Sequence, residues 1–141
     1  MRAVLDTNVL VSAVLAGGSA PDAVLRAWHR GDFQLVTSVQ LISELEKVLA
    51  RPHIGRRLGW SPAERGMFVT ALSENSIVVN PSERLRVLDA DPADNRVLEA
   101  AVSSGADYIV TGDNHLLDLG RYENNLIVTP AQFAAVLAHG L

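Results

Sequence analysis

Residues 3–16 read AVLDTNVLVSAVLA, and their pattern indicates the class of fold. Ala3 to Leu5 form a short apolar run that ends at Asp6, a pattern that predicts a buried first strand. The apolar residues from Asn8 to Ala16 then predict a helix that stops at Gly17-Gly18. A buried strand that passes directly into a helix is the opening of a crossover unit, so this stretch indicates an α/β fold.

The same alternation of strands and helices continues to the end of the chain. Further helices are predicted to begin at Pro21, Thr37-Ser38, Ser61, Asp91-Pro92 and Thr129-Pro130, and further strands to lie at residues 33–36, 77–79, 108–110 and 126–128. Strands that alternate with helices need crossover connections, which favour a mostly parallel sheet between helical layers. We therefore expect one domain over residues 1–141, with a three-layer α/β fold and a central sheet of four to five strands.

The composition excludes several classes of protein. The 141 residues contain no cysteine, which excludes disulfides, a thiolate zinc site and a cysteine nucleophile, and which suits a reducing compartment. The first apolar run is too short for a signal peptide, and no apolar stretch approaches the roughly 18 residues of a membrane span. We therefore expect a cytoplasmic protein with no membrane partner.

The net charge of −4 argues mildly against nucleic-acid binding, because phosphate contacts need lysine and arginine. If several of the 16 acidic residues surround a metal ion, the remaining surface is closer to neutral, and the net charge then no longer disfavours nucleic-acid binding. The basic residues are also clustered, with Arg51, Arg56 and Arg57 close to His53. This segment is either a surface that contacts phosphates or a solvated helix end, and the sequence leaves both interpretations open.

Polar residues follow three of the predicted strands. Asp6 ends the first strand, and Asp113 lies just past the fourth. Thr37 and Ser38 follow the second strand, and Gln40 completes the spacing of a helix-capping box with Thr37. Ligands bind at the carboxyl ends of strands in open parallel sheets, so these side chains are expected to meet at one edge. Asp6 alone is also a plausible turn residue.

Glu44 lies in the helix that begins at this edge. It adjoins the apolar stripe of that helix, next to Leu41 and Leu45, and is therefore expected to be half-buried. Glu46 falls between the stripe positions and should face water. A half-buried carboxylate needs a partner, because an unpaired buried charge is costly.

Asp94 lies in the first turn of the helix that Asp91-Pro92 opens. An acidic residue at this position is favoured by the helix dipole and by the free backbone donors of the first turn. Plain helix capping is therefore the simpler interpretation of Asp91, whereas Asp94 is the better candidate for the acidic edge.

Four carboxylates at one sheet edge would repel one another strongly in a medium of low dielectric constant. A divalent cation removes that repulsion, and Mg²⁺ or Mn²⁺ prefers such oxygen ligands while it retains water and binds substrate phosphate. Two ions about 3.5–4 Å apart can hold the attacking and leaving oxygens of a phosphoryl displacement. No histidine cluster suggests zinc, since His29 stands alone in a helix.

Four segments of the chain resemble PIN domains, most closely the small bacterial proteins described as toxin components of toxin–antitoxin systems. The segments are residues 4–10 (VLDTNVL), 43–49 (SELEKVL), 91–95 (DPADN) and 106–113 (ADYIVTGD), and they occur in family order over nearly the whole chain. The resemblance implies a PIN-like fold with a central parallel sheet and a metal-dependent ribonuclease site. It also implies that members often form homodimers, and that many pair with a small antitoxin protein whose segment blocks the site.

The resemblance also implies roles for individual residues. The residues that match the catalytic, metal-binding acids of the family are Asp6, Glu44, Asp94 and Asp113. In the family these acids act through a metal-bound water that attacks the phosphodiester of RNA. The residues that match supporting polar positions are Asn8 and Thr111, and Ser38 is a further supporting candidate because it follows the second strand. The chain departs from close relatives at His115, where a further acid is common, and this leaves open whether one or two metal ions bind.

Two other interpretations stay open. A receiver domain or a phosphatase also places acids at strand ends, but a receiver needs a lysine near its acidic pocket and the only lysine here is Lys47, in the helix of Glu44. A phosphatase of the haloacid dehalogenase type needs a second aspartate two residues after the first, where this chain has Asn8. A non-catalytic binding module whose acids are structural caps is the remaining interpretation, and metal dependence of stability distinguishes it from an enzyme.

Overall fold

The structure is a computed structural model that describes residues 1–88 and 92–139. Its strands are β1 (Arg2–Leu5), β2 (Gln34–Ser38), β3 (Ile77–Val79), β4 (Tyr108–Val110), β5 (Arg121–Tyr122) and β6 (Asn125–Val128). Its helices are α1 (Thr7–Leu15), α2 (Ala20–His29), α3 (Val39–Leu49), α4 (Pro52–Leu58), α5 (Pro62–Glu74), α6 (Pro92–Ser104), α7 (Asn114–Leu119) and α8 (Pro130–Ala138). Within these ranges no single helix is long and apolar enough to span a membrane, although α1 and α2, bent by 97° at their junction, pass that test as a pair.

The strands form one sheet in the order β3-β2-β1-β4-β6-β5. Its first four pairings are parallel, and β5 pairs antiparallel with β6. The predicted mostly parallel sheet is therefore confirmed, with one strand more than expected. The additional strand, β5, arises because the chain turns back at Glu123, whose φ of 51° is left-handed. A strand of two residues is too short to be recognised from an alternation of residue types.

Side chains of the central strands alternate between two apolar cores. Ala3 and Leu5 of β1 pack in the core formed with α1, α2, α5 and α8, whereas Val4 packs in the core formed with α6 and α7. Leu35 and Val36 of β2 divide between the same two cores. The sheet thus has a helical layer on each face, and the predicted three-layer α/β fold is confirmed.

Ser38 caps α3, and its hydroxyl accepts a hydrogen bond from the backbone N–H of Leu41 at 3.1 Å. The predicted capping box between Thr37 and Gln40 is wrong. Thr37 belongs to β2, and the amide of Gln40 donates to Asn80 at 3.5 Å instead. Gln40 therefore contacts the residue that follows the edge strand β3, and the local sequence does not predict this contact.

The structure adds two short helices that the sequence pattern does not predict. Pro52, which was expected only to end α3, is the first residue of α4, and Arg51 is the N-cap. Asp113 caps α7, because its side chain accepts a hydrogen bond from the backbone N–H of His115 at 2.8 Å. Helices of 7 and 6 residues are shorter than the window over which an apolar stripe is recognised. The predicted helix start at Asp91 lies outside the described residues.

Two predicted helix ends are confirmed. Ser61 and Glu64 form a reciprocal capping box at the start of α5. Gly105 ends α6 with a left-handed φ of 66°, and the N–H groups of Gly105 and Ala106 donate to carbonyls of the last turn at 3.4 and 3.0 Å. This is a Schellman motif, and it directs the chain from α6 into β4.

We expect Gly105→Ala to lower the free energy of unfolding by about 1 kcal/mol, because alanine strains the left-handed backbone conformation. A Cβ atom at this position meets no atom within 4 Å, so the loss reflects backbone strain and no steric clash. The control is Gly66→Ala inside α5, which has equally open space and should raise the free energy by about 0.5–1 kcal/mol. Urea denaturation measures both changes, and a loss at both positions would contradict the role given to Gly105.

Candidate metal centre

The strand order reverses between β1 and β4, and a crevice for ligands forms at such a point in an open parallel sheet. Asp6 directly follows β1, and its backbone N–H donates to the carbonyl of Val110, the last residue of β4, at 3.0 Å. Thr111 follows Val110 in the chain. The two strand ends therefore hold Asp6 beside Thr111 and bring Asp113 to the same edge.

Asp6 is a buried carboxylate among like charges. Only 7% of the residue is exposed, and one carboxylate oxygen accepts a hydrogen bond from the hydroxyl of Thr111 at 2.8 Å. The pKa of Asp6 is raised from 3.8 to about 6, chiefly by burial; the bond from Thr111 opposes this rise, and the charges of Glu44 and Asp113 add to it. Asp6 is therefore in electrostatic contact with carboxylates from α3 and from the end of β4.

Glu44 is half-buried and Glu46 is exposed, as the spacing of α3 predicts. One oxygen of Glu44 accepts a hydrogen bond from the hydroxyl of Thr7 at 3.2 Å. Asn8 is the residue predicted to support the acids at this position, and the sequence pattern does not indicate Thr7. The structure buries Thr7 in the first turn of α1, whereas Asn8 is exposed and, within the described residues, its side chain makes no hydrogen bond.

A second group of ligand atoms surrounds Asp113. Asp94 is buried in the first turn of α6, with 5% exposed, and one ligand atom each of Asp94, Asp113 and His115 lies within 4.8 Å of the others. The hydroxyl of Thr111 donates to Asp6 and accepts a hydrogen bond from the backbone N–H of Asp113 at 3.0 Å. Asp113 belongs to this group and its charge also acts on Asp6, whereas Asp6 and Glu44 are not members of the group. The four acids thus form an acidic cluster of two parts, Asp6 with Glu44 and Asp94 with Asp113.

Asn95 attaches the segment before α6 to the start of that helix. Its buried side chain accepts hydrogen bonds from the backbone N–H groups of Val87 and Leu88 at 3.0 and 2.9 Å. It also donates to the carbonyl of Leu88 at 2.7 Å. These bonds fix the first turn of α6, which carries Asp94. The sequence interpretation missed Asn95, because its partners lie 7 and 8 residues away in an irregular segment.

Glu99 attaches the same segment one turn later. Its side chain is 1% exposed, and it accepts a hydrogen bond from the backbone N–H of Leu85 at 2.8 Å. Arg84 and Arg96 lie 3.2 and 3.1 Å from its oxygens. Two guanidinium groups and one backbone donor thus compensate a charge whose burial would otherwise be costly. Glu99 is therefore a structural acid with cations of its own, unlike Asp6.

Ser38 and three arginines complete the set of predicted site residues. Ser38 is buried and acts through the start of α3, because its hydroxyl caps the helix that carries Glu44. Arg51, Arg56 and Arg57 are exposed at α4, and none of them lies within salt-bridge distance of a carboxylate in the described part of the chain. Their contact with nucleic acid stays a prediction.

The sequence model of the PIN domain matches residues 2–115 of the chain. The chain belongs to the PIN domain family. The match spans every acid of the cluster, so the proposed ligands lie in the part of the sequence that defines this PIN domain. The resemblance drawn from the four sequence segments is therefore confirmed at the level of the family.

The relatives of this PIN domain include a curated protein and a solved structure. An uncharacterized protein of Methanocaldococcus jannaschii is 29% identical over 127 residues, which are 90% of this chain and 79% of that protein. The crystal structure of VapBC2 from Rickettsia felis, bound to a DNA fragment from the promoter, matches with a TM-score of 0.61 at 13% identity. That match covers 92% of this chain and 98% of the other, and at this identity it shows the fold alone.

We expect Asp6→Asn to stabilise the metal-free protein at pH 7 and to have little effect at pH 4. Folding raises the pKa of Asp6 from 3.8 to about 6, so the folded state binds this proton more tightly than the unfolded state. The free energy of unfolding therefore falls as the pH rises from about 4 to about 6. The amide retains an acceptor for Thr111 without the charge, so the gain at pH 7 should reach about 2–3 kcal/mol.

Urea denaturation in the presence of a chelator measures this effect at both pH values. The control is Glu46→Gln, an exposed substitution that should change the free energy at neither pH. Asp94→Asn should act in the same direction as Asp6→Asn at pH 7, because it removes another of the clustered charges. A loss of stability in Asp6→Asn at pH 7 would contradict the description of Asp6 as a buried charge among like charges.

Asn95→Ala should lower the free energy of unfolding by about 1–3 kcal/mol, because two backbone N–H groups of the preceding segment then lack their acceptor. Asn80→Ala is the control, since Asn80 is exposed and accepts only a 3.5 Å bond from Gln40, and it should change the free energy by less than about 0.5 kcal/mol. Guanidinium denaturation of both variants measures the difference. Equal effects at the two positions would show that Asn95 does not hold the segment.

Proposed function

We propose that this PIN domain is a metal-dependent ribonuclease that hydrolyses phosphodiester bonds within an RNA chain. The observation that carries the proposal is the burial of Asp6 beside the charges of Glu44 and Asp113, at the crevice where β1 and β4 end. Such an arrangement destabilises the fold in the absence of a cation. A substrate phosphate that enters this crevice would also need a cation between itself and the carboxylates.

The donor set of the cluster fits Mg²⁺ or Mn²⁺, since carboxylate oxygens are the ligands that these hard ions prefer. When bound, such an ion polarises the phosphate and lowers the pKa of a water molecule at the site. The residues that we propose as its ligands, and as the catalytic residues, are Asp6, Glu44, Asp94 and Asp113.

The residues around the cluster hold the carboxylates in fixed orientations. Thr111 donates to one oxygen of Asp6, and Thr7 donates to one oxygen of Glu44. Each hydroxyl restricts the rotation of its carboxylate, so less rearrangement is needed when an ion and a phosphate bind. Asn95 acts at longer range, because it fixes the first turn of the helix that carries Asp94.

RNA as the substrate rests on the resemblance of the four sequence segments to ribonucleases of this family. The exposed Arg51, Arg56 and Arg57 are proposed to contact its phosphates, because their charges are not compensated by carboxylates in the described residues. The fold likeness to VapBC2 supports a role as the toxin component of a toxin–antitoxin pair, with a small antitoxin protein as partner. The proposal includes a homodimer and a cytoplasmic location.

One observation favours a non-catalytic binding module. Asp113 caps α7, which gives one of the four acids a structural role that needs no metal ion. Another phosphoryl-transfer protein, such as a receiver domain, gains no such support, because Lys47 is exposed on α3. Metal binding and catalysis therefore have to be tested on an acid that caps no helix.

Glu44→Gln and Glu46→Gln form a matched pair, because the two glutamates share α3 and differ in burial. We expect wild type and Glu46→Gln to bind Mn²⁺ and to cleave single-stranded RNA. Glu44→Gln should lose at least about tenfold in both properties, which corresponds to about 1.4 kcal/mol. Titration calorimetry measures the binding, and electrophoresis of labelled RNA measures the cleavage. Equal behaviour of the two variants, or no binding by the wild type, would contradict the ribonuclease and favour the binding module.

A further inference from the structure

His115 brings a nitrogen ligand to a site whose other candidate ligands are oxygens. A ring nitrogen of His115 lies within 4.8 Å of an oxygen of Asp94 and of an oxygen of Asp113. Ligand atoms that bind one ion at about 2.1 Å lie up to about 4.2 Å apart. The three side chains are therefore close to the separation at which they would share one ion.

The three candidate ligands differ in burial. Asp94 comes from the buried first turn of α6, whereas His115 comes from the first turn of α7 and its side chain is 59% exposed. The imidazole Nδ1 lies 3.6 Å from Asp113, and no described residue forms a hydrogen bond with the ring. The ring is therefore mobile enough to bind an ion that the two carboxylates hold from the interior side.

We propose that His115 is a metal ligand of this PIN domain, and that it shifts the preference of the site from Mg²⁺ towards transition ions such as Zn²⁺ and Co²⁺. The inference rests on the proposed metal-dependent function and deepens it. Mg²⁺ takes oxygen ligands in near-octahedral geometry, whereas imidazole nitrogen suits the transition ions. Two carboxylates and one imidazole therefore suit Zn²⁺ better than carboxylates alone do.

His115→Asp replaces the nitrogen ligand by an oxygen ligand and leaves the other acids in place. Imidazole nitrogen suits Zn²⁺ and carboxylate oxygen suits Mg²⁺, so the substitution should lower the ratio of Zn²⁺ affinity to Mg²⁺ affinity. A change beside a metal ligand alters metal affinity about 10–100-fold, so we expect this ratio to fall at least about tenfold. His29→Asp is the control, because it makes the same change of charge at an exposed position on α2 and should leave both affinities as in the wild type.

Titration calorimetry of the full chain with Zn²⁺ and with Mg²⁺ measures these affinities without any substrate. A second readout is the ¹⁵N spectrum of protein labelled at histidine, where Zn²⁺ should shift a ring nitrogen of His115 and leave that of His29 in place. A ratio of Zn²⁺ to Mg²⁺ affinity that is the same in His115→Asp and wild type would overturn the inference, as would an unshifted His115 in the Zn²⁺-bound protein. In both cases the oxygen site of the proposed function would stand, whereas no binding of either ion by the wild type would overturn both proposals.

Discussion

The parallel pairing of β1 with β4 is the constraint on which the site depends. Their register places Leu5 opposite Val110, so the next residue of each strand, Asp6 and Thr111, meets the other at the carboxyl edge. A shift of one residue would turn every side chain of β1 to the other face and move Val4 out of its core. The packing of β1 against two cores therefore helps to position Asp6, together with the hydrogen bonds that Asp6 makes.

This position has an energetic consequence. Burial and the neighbouring carboxylates raise the pKa of Asp6 to about 6, and the hydrogen bond from Thr111 offsets only part of that effect. The acid Glu99 is buried to a similar degree, yet two arginines compensate its charge. Arginine side chains thus neutralise the buried carboxylate of Glu99, whereas none in the described residues lies within salt-bridge distance of Asp6 at the end of β1. Uncompensated charge at a ligand crevice is typical of a functional site.

The apolar spacing of α3 predicts that Glu44 is half-buried and Glu46 is exposed, and the end of the first strand indicates Asp6. Both signals lie within a few residues of the position that they concern. The support of these acids could not be predicted in the same way. Thr7 reaches Glu44 across 37 residues, and its identification requires the packing of α1 on α3. The apolar pattern predicts a start of α1 at Asn8, one residue later than observed, and the supporting role of Asn8 that the resemblance implies stays a prediction. Asn95 was missed because it binds backbone groups of an irregular segment that has no pattern of its own.

We propose that the carboxylates at the ends of β1 and β4 destabilise the fold when they are alone and stabilise it around a divalent ion. The free energy of unfolding of the wild-type protein, measured as a function of Mn²⁺ concentration at pH 7 and at pH 5, tests this proposal. We expect a saturable rise at pH 7, of about 2.7 kcal/mol when the free ion is at 100 times its dissociation constant. The rise should be smaller at pH 5, where protons compete with the ion for Asp6. A free energy of unfolding that does not change with Mn²⁺ at either pH would contradict the proposal.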